Sequence, residues 1–287
     1  MSKLEINGLP ALFYLDKGEG QPVVFVHGAL EDYRAWSAQV DAFSHDYRVI
    51  TYSRRCSYPN EIEGAVEQED TVENNVEDLA ALIKKLGVAP VHAVGHSYGG
   101  FIVAYLAFKH PELVRSLVLV EPAITTLFIQ NPNNLLQLLL LLFRHPSFAI
   151  AAIGLSMRAQ SALNAFQQGD SEKAARLFVE EIQARPHAFD QLPDYARKMM
   201  IDNAKTLFDL KVVLPAFDRA DTRRVLAPTV IVKGGTSQKT LQDVANALSQ
   251  SMPHCELITI ANAGHFSQIE KPEEFNAITL KFLLSQN

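Results

Sequence analysis

Cysteine is nearly missing from this chain: there are two among 287 residues, Cys56 and Cys255. They stand far apart and form no metal-ligand spacing, so neither a zinc module nor a disulfide-built scaffold is indicated. A reduced, cytoplasmic protein is the simplest expectation, although one bridge between the two is still allowed. Long hydrophobic runs are also lacking. The longest, Leu135 to Phe143 with Gln137 interrupting, ends at Arg144-His145-Pro146, far short of the roughly 20 residues that cross a bilayer. The first residues, Met1 to Gly8, carry no apolar stretch of the kind a secretory signal needs. Basic residues cluster no further than pairs such as Arg54-Arg55 and Arg223-Arg224, and the net charge is −6, which argues against a nucleic-acid partner. His92 and His96 share one side of an expected strand, but without an acidic or cysteine neighbour in sequence they indicate no metal site.

What is present is an ordinary globular composition, 48% hydrophobic and 20% charged, in a chain long enough for a full core and an inserted subdomain. Strand patterns fall at Leu4–Asn7 and Leu12–Asp16 around an Asn7-Gly8 turn, at Val23–Val26 after Pro22, and at Arg48–Tyr52. Helical spacing from Thr71 to Leu86 ends at Gly87, a position suited to a left-handed cap. Another buried strand, Ser116–Glu121, closes at Pro122, and the next, Thr229–Val232, opens only after Pro228. A connection that long must carry its own structure. Helical patterns occur within it at Leu135–Phe143, Ser147–Ala159, Glu172–Ile182, with Asp170 or Ser171 as cap, and Asp194–Phe208. Beyond it come a helix at Leu241–Leu248, a strand at Glu256–Ile260 and a helix at Pro272–Leu284. The expectation is an α/β fold with a mostly parallel sheet. Residues 1–121 and 228–287 form its core, and residues 122–227 form a helical cap inserted between strands 6 and 7.

The chemistry-bearing stretch is Val91-His92-Ala93-Val94-Gly95-His96-Ser97-Tyr98-Gly99-Gly100. An apolar strand breaks into Gly-x-Ser-x-Gly and then into an apolar helix, placing Ser97 at the turn. The pentapeptide alone arises by chance about once in ten chains of this size; its placement between strand and helix is what gives it weight. A serine hydroxyl needs a base from elsewhere in the chain. His265, in Ala263-Gly264-His265-Phe266 after the last strand, is the candidate, since catalytic groups in open α/β sheets gather at the carboxyl ends of strands.

With these residues the chain resembles the α/β-hydrolase family over nearly its whole length. Val26-His27-Gly28-Ala29 is similar to the family's oxyanion strand end, Gly95–Gly99 to its nucleophile elbow, and Gly264-His265 to its histidine loop. The resemblance implies a cofactor-free, metal-free serine hydrolase whose oxyanion is held by the backbone N–H groups of Ala29 and Tyr98. It implies bracing, rather than proton transfer, for His27. One element departs from the family's commonest pattern. Past the glycine that follows Thr229–Val232, where an aspartate usually stands, this chain has Ser237, and a serine cannot stabilise an imidazolium. Glu121 ends the neighbouring strand on the same edge, where haloalkane dehalogenases and some other relatives place a glutamate. It is expected as the triad acid, with Asp243, on a helical pattern, as the alternative.

Arg54 and Arg55 could hold a substrate carboxylate or could brace the loop. The Leu135–Phe143 run reads as cap packing, and an apolar cap over a serine favours an apolar acyl or alcohol group. The expected activity is hydrolysis of a small apolar carboxylic ester or lactone through an acyl-enzyme. Hydrolysis of a carbon–carbon bond beside a ketone, or a receptor with little turnover, are the alternatives. Sequence does not set the oligomeric state.

Overall fold

The computed structural model describes residues 2–6, 9–60, 70–132, 134–208 and 214–286. Aliphatic and β-branched runs form the strands β1 (Ser2–Ile6), β2 (Leu9–Lys17), β3 (Gln21–Val26), β4 (Tyr47–Tyr52), β5 (Val91–His96), β6 (Val114–Val120), β7 (Thr229–Gly234) and β8 (Cys255–Ile260). They join in one sheet, in the order β1-β2-β4-β3-β5-β6-β7-β8. β1 and β2 run antiparallel to their neighbours, and every pair from β4 to β8 is parallel. The Asn7-Gly8 turn lies outside the described residues.

Strand alternation divides the core into two layers. Val24, Val26, Leu117, Leu119 and Ile231 face a cluster shared with α2 (Val72–Leu86), α3 (Tyr98–Lys109) and α11 (Lys239–Ser251). Val23, Phe25, Val118, Val120, Val230 and Val232 face the opposite layer, with α1 (Ser37–Phe43) and α13 (Pro272–Leu284). A short α12 (Ser267–Glu270) precedes α13. Local signals bound several helices. Thr71 Oγ1 accepts the N–H of Asn74 at the start of α2, and Gly87 ends it in the left-handed region at φ 64°.

Between β6 and β7 the chain carries a helical insertion: α4 (Leu135–Arg144), α5 (Pro146–Gln167), α6 (Ser171–Ile182), α7 (Ala188–Gln191), α8 (Asp194–Asp202), α9 (Lys205–Phe208) and α10 (Arg219–Thr222). Asp170, not Ser171, caps α6. Three expectations are corrected here. The helix expected over Asp194–Phe208 breaks at Asn203, whose buried amide donates to Asp32 and accepts from the backbone of Tyr58, both at 2.8 Å. The expected Ser147–Ala159 helix continues to Gln167. The Leu135–Phe143 run does not serve chiefly as packing: α4 packs against α5, and Leu141 is buried, but Leu135, Leu136, Leu139, Leu140, Leu142 and Phe143 are exposed. Among the described residues, no helix is long and apolar enough to cross a membrane.

Candidate active site

Ser97 sits between β5 and α3 with φ 52° and ψ −115°, a conformation a side-chain-bearing residue adopts only when its surroundings impose it. The surroundings are visible. The Ser97 N–H donates to Val120 O at 2.8 Å, and Ser97 O accepts the N–H of Ala123 at 3.0 Å. The end of β6 thus clamps the turn from both sides. Glycine is required beside it, since a Cβ on Gly99 would strike the carbonyl oxygens of Val26 and His27, and one on Gly95 would strike Gly99 and lie 2.7 Å from Val103. Ser97 is partly exposed, while the rest of 91–107 is buried.

Glu121 follows β6, also at positive φ (47°). Its Oε2 lies 3.4 Å from His265 Nδ1. Its Oε1 accepts the Gly234 N–H at 2.6 Å and the Ser237 hydroxyl at 3.0 Å. Burial pushes the Glu121 carboxyl up to about 7, against the pull of these two donors and of His96. His265 is held well below the ordinary histidine range, first by burial and then by the proximity of His96. The helical insertion reaches this loop directly. Gln183, just after α6, accepts the His265 N–H at 2.6 Å and donates to Glu270 at 2.6 Å. Asp243, the alternative acid, is paired with Lys239 on α11.

The turn after β3 runs against the serine. A Cβ on Gly28 would stand 3.1 Å from Ser97 Cβ, which brings Ala29, half-buried, beside the same position. Tyr98 opens α3, where an N–H has no intrahelical acceptor. His27 is buried: its Nδ1 donates to Gly28 O and its Nε2 accepts the Arg54 N–H, both at 2.9 Å. One donor and one acceptor fix a neutral ring, and burial, then Arg54, keep its pKa well below the usual value. Both arginines are occupied. Arg54 bonds Asp70 at 3.1 Å and stacks 4.8 Å from the Tyr98 ring centroid, and Arg55 holds Asp78 at 2.7 Å.

Sequence reasoning missed two residues here, Gln183 and Glu31. Glu31, fully buried, accepts the Gly28 N–H at 2.6 Å and stands 2.9 Å from His96 Nδ1. It is 65 residues from its histidine, and no periodicity links them. His92 turns instead to the Ser116 hydroxyl at 2.8 Å. Among the described residues, Glu180, His187 and Asp190 come within metal-ligand reach of one another at the cap surface. Asp190 already pairs with Arg176, and Glu180 accepts the His187 N–H. A cleft of about 450 Å³ between α5, α6 and Gln238 does not include Ser97 in its lining.

A mostly parallel eight-stranded sheet, a serine elbow after β5 and a helical insertion after β6 define a class, and the sequence profile of the α/β-hydrolase fold matches residues 21–272. The chain belongs to the α/β-hydrolase fold family. It is 27% identical over 277 residues to the 2-hydroxy-6-oxononadienedioate/2-hydroxy-6-oxononatrienedioate hydrolase of Burkholderia vietnamiensis, covering 94% of this chain and 90% of that one. Its fold is similar to that of carboxylesterase CesB of Bacillus subtilis, with a TM-score of 0.74 at 17% identity over 98% of this chain and 90% of that one. It also resembles the meta-cleavage product hydrolase of Pseudomonas fluorescens, with a TM-score of 0.65 at 21% identity over 100% of this chain and 98% of that one.

Proposed function

We propose that this protein is a serine hydrolase acting on a carboxylic ester or lactone with an apolar group. The observation that carries the reading is the strained, partly exposed Ser97 at the head of α3, with the Gly28 turn against its Cβ. Ser97 Oγ attacks the carbonyl carbon while His265 Nε2 takes its proton. Glu121 accepts the Nδ1 hydrogen and stabilises the imidazolium that forms. The N–H groups of Ala29 and Tyr98 bind the developing oxyanion. Collapse of the tetrahedral intermediate expels the alcohol, protonated by His265, and leaves an acyl-enzyme. His265 then deprotonates a water that attacks the acyl carbon, and the acid and free Ser97 are released.

Carbon–carbon bond hydrolysis is the second reading, favoured by the hydrolase of Burkholderia vietnamiensis named above. It uses the same serine, histidine and oxyanion groups. A dioate substrate needs a cation for its remote carboxylate, and here Arg54 and Arg55 are already committed to Asp70 and Asp78. That commitment supports the apolar ester.

A short p-nitrophenyl ester, followed by a panel of esters, lactones and β-diketones, tests the proposal. Multiple turnover, lost in Ser97→Ala, and fluorophosphonate labelling mapped to Ser97 are expected. Tight binding of small apolar molecules without turnover, with Ser97 unlabelled, would replace the enzyme with a receptor. Preferential turnover of β-diketones would move the assignment to the carbon–carbon class.

A further inference from the structure

His96, adjacent to the serine, lies wholly inside the protein, and the mechanism above does not use it. Its ring sits 4.6 Å from the His265 ring, centroid to centroid. Its Nδ1 stands 2.9 Å from Glu31 Oε2 and its Nε2 stands 2.9 Å from the backbone oxygen of His265. A carbonyl oxygen can only accept, so Nε2 must carry hydrogen. Glu31 is also an acceptor, for Oε2 already takes the Gly28 N–H at 2.6 Å and Oε1 faces Gln268 Nε2 at 3.5 Å. With Glu31 as a carboxylate both ring nitrogens donate, which only the imidazolium can do; a Glu31 carboxylic acid donating to a neutral His96 is the arrangement that ring-nitrogen NMR distinguishes. The contrast with His27, which has one donor and one acceptor, is internal to the same site.

We propose that His96 is a permanently protonated positioning residue, paired with Glu31, that ties the Gly28 turn to the His265 loop and keeps His265 unprotonated in the resting enzyme. This rests on the serine-triad reading. The mechanical part follows from the bonds: Glu31 grips the Gly28 N–H beside Ser97, and His96 grips the oxygen of the catalytic histidine itself. The electrostatic part follows from charge. A cation beside a neutral base opposes its protonation, so His265 stays free to accept the serine proton. Burial works against a charge on His96, but the Glu31 carboxylate and its hydrogen bond outweigh it and keep His96 above the ordinary range. The titratable and charged groups facing this cluster are Glu31, Glu121, His27 and His265, with Tyr195 facing Glu31, Arg54 acting on His27, Glu270 on His265 and Lys233 on Glu121.

Two measurements test it. In Ser97→Ala protein labelled with ¹⁵N-histidine, both ring nitrogens of His96 are expected to show the imidazolium pattern at pH 8; a neutral pattern there overturns the proposal. The signal is assigned by its loss in His96→Gln, or through contacts to the Phe266 ring at 5.5 Å if that variant does not fold. In Ser97→Ala/His96→Gln protein that folds, the His265 ring is expected to titrate about one pH unit higher than in Ser97→Ala. An unmoved His265 titration would mean mere packing and would also overturn it. Because the NMR measurement uses a protein without the serine, failure of the hydrolase reading is seen separately, as an absence of ester turnover in the unmodified enzyme.

Discussion

Ser237 donates its hydroxyl hydrogen to Glu121 Oε1 across 3.0 Å, although 116 residues separate them in the chain. The serine stands at the position where the resemblance to the family would place an acid, and the carboxylate proposed for that role stands one strand away. Removing the hydroxyl in Ser237→Ala takes away a donor that favours the charged carboxylate, so Glu121 should protonate at higher pH. The acidic limb of kcat/KM should shift upward, with a loss of about tenfold at pH 7. An unchanged profile would remove Ser237 from the charge-setting network.

The same juxtaposition allows the acid to be moved. A Glu121→Ser/Ser237→Asp double variant places a carboxylate at the other end of the hydrogen bond. It should recover at least about tenfold over Glu121→Gln, which itself should lose about 10⁴ in kcat. Rates for the double variant no better than for Glu121→Gln would show that the two positions are not interchangeable.

Glu121 also predicts the pH dependence of rate and stability in the unmodified protein. Its pKa is raised by burial to about 7, so kcat/KM should climb as pH rises through 7 and the carboxylate forms. For stability the direction is opposite. A carboxyl whose folded pKa exceeds its unfolded value is most favourable below the unfolded value, and that contribution is lost as pH rises through the folded value. Glu121→Gln, which does not titrate, should therefore gain Tm relative to the unmodified protein between pH 5 and pH 8. A difference in Tm that stays constant over that window counts against a raised Glu121.

Arg55→Ala leaves Asp78 buried without its partner. The expected cost is about 3–5 kcal/mol of folding free energy, read by urea unfolding, with KM for an apolar ester unchanged wherever the variant is folded. A large rise in KM at unaltered stability would instead assign Arg55 to substrate.

Much of this was legible in the sequence because it is local. The parallel strands, the Gly95–Gly99 turn, the cap of α2 and the placement of a helical insertion all follow from periodicity and turn chemistry within a few residues. The meeting of Glu121 with His265 was expected at one remove, from strand adjacency and from the family resemblance. What could not be read depends on side chains meeting across the fold. Glu31 and His96 share no pattern. Gln183 is a cap residue that reaches His265 only after folding. Asn203 interrupts its helix for the sake of Asp32 and Tyr58. The exposed leucines of α4 mislead for a related reason, since hydrophobicity reports a preference for burial and not whether a neighbour is available to supply it.

The cap leaves the sheet after β6 and returns at β7, and those two strands are neighbours whose ends Glu121 joins through the Gly234 N–H. The excursion therefore begins and finishes at one pinned neck, and the groups around that neck are fixed by the sheet. Helices can be exchanged or lengthened out along the loop without altering the seat of Glu121. Gln183 is the exception, and any replacement lid must supply an equivalent acceptor for the histidine loop. On the reading proposed here, the insertion can diverge while Ser97, Glu121 and His265 keep their register on the sheet.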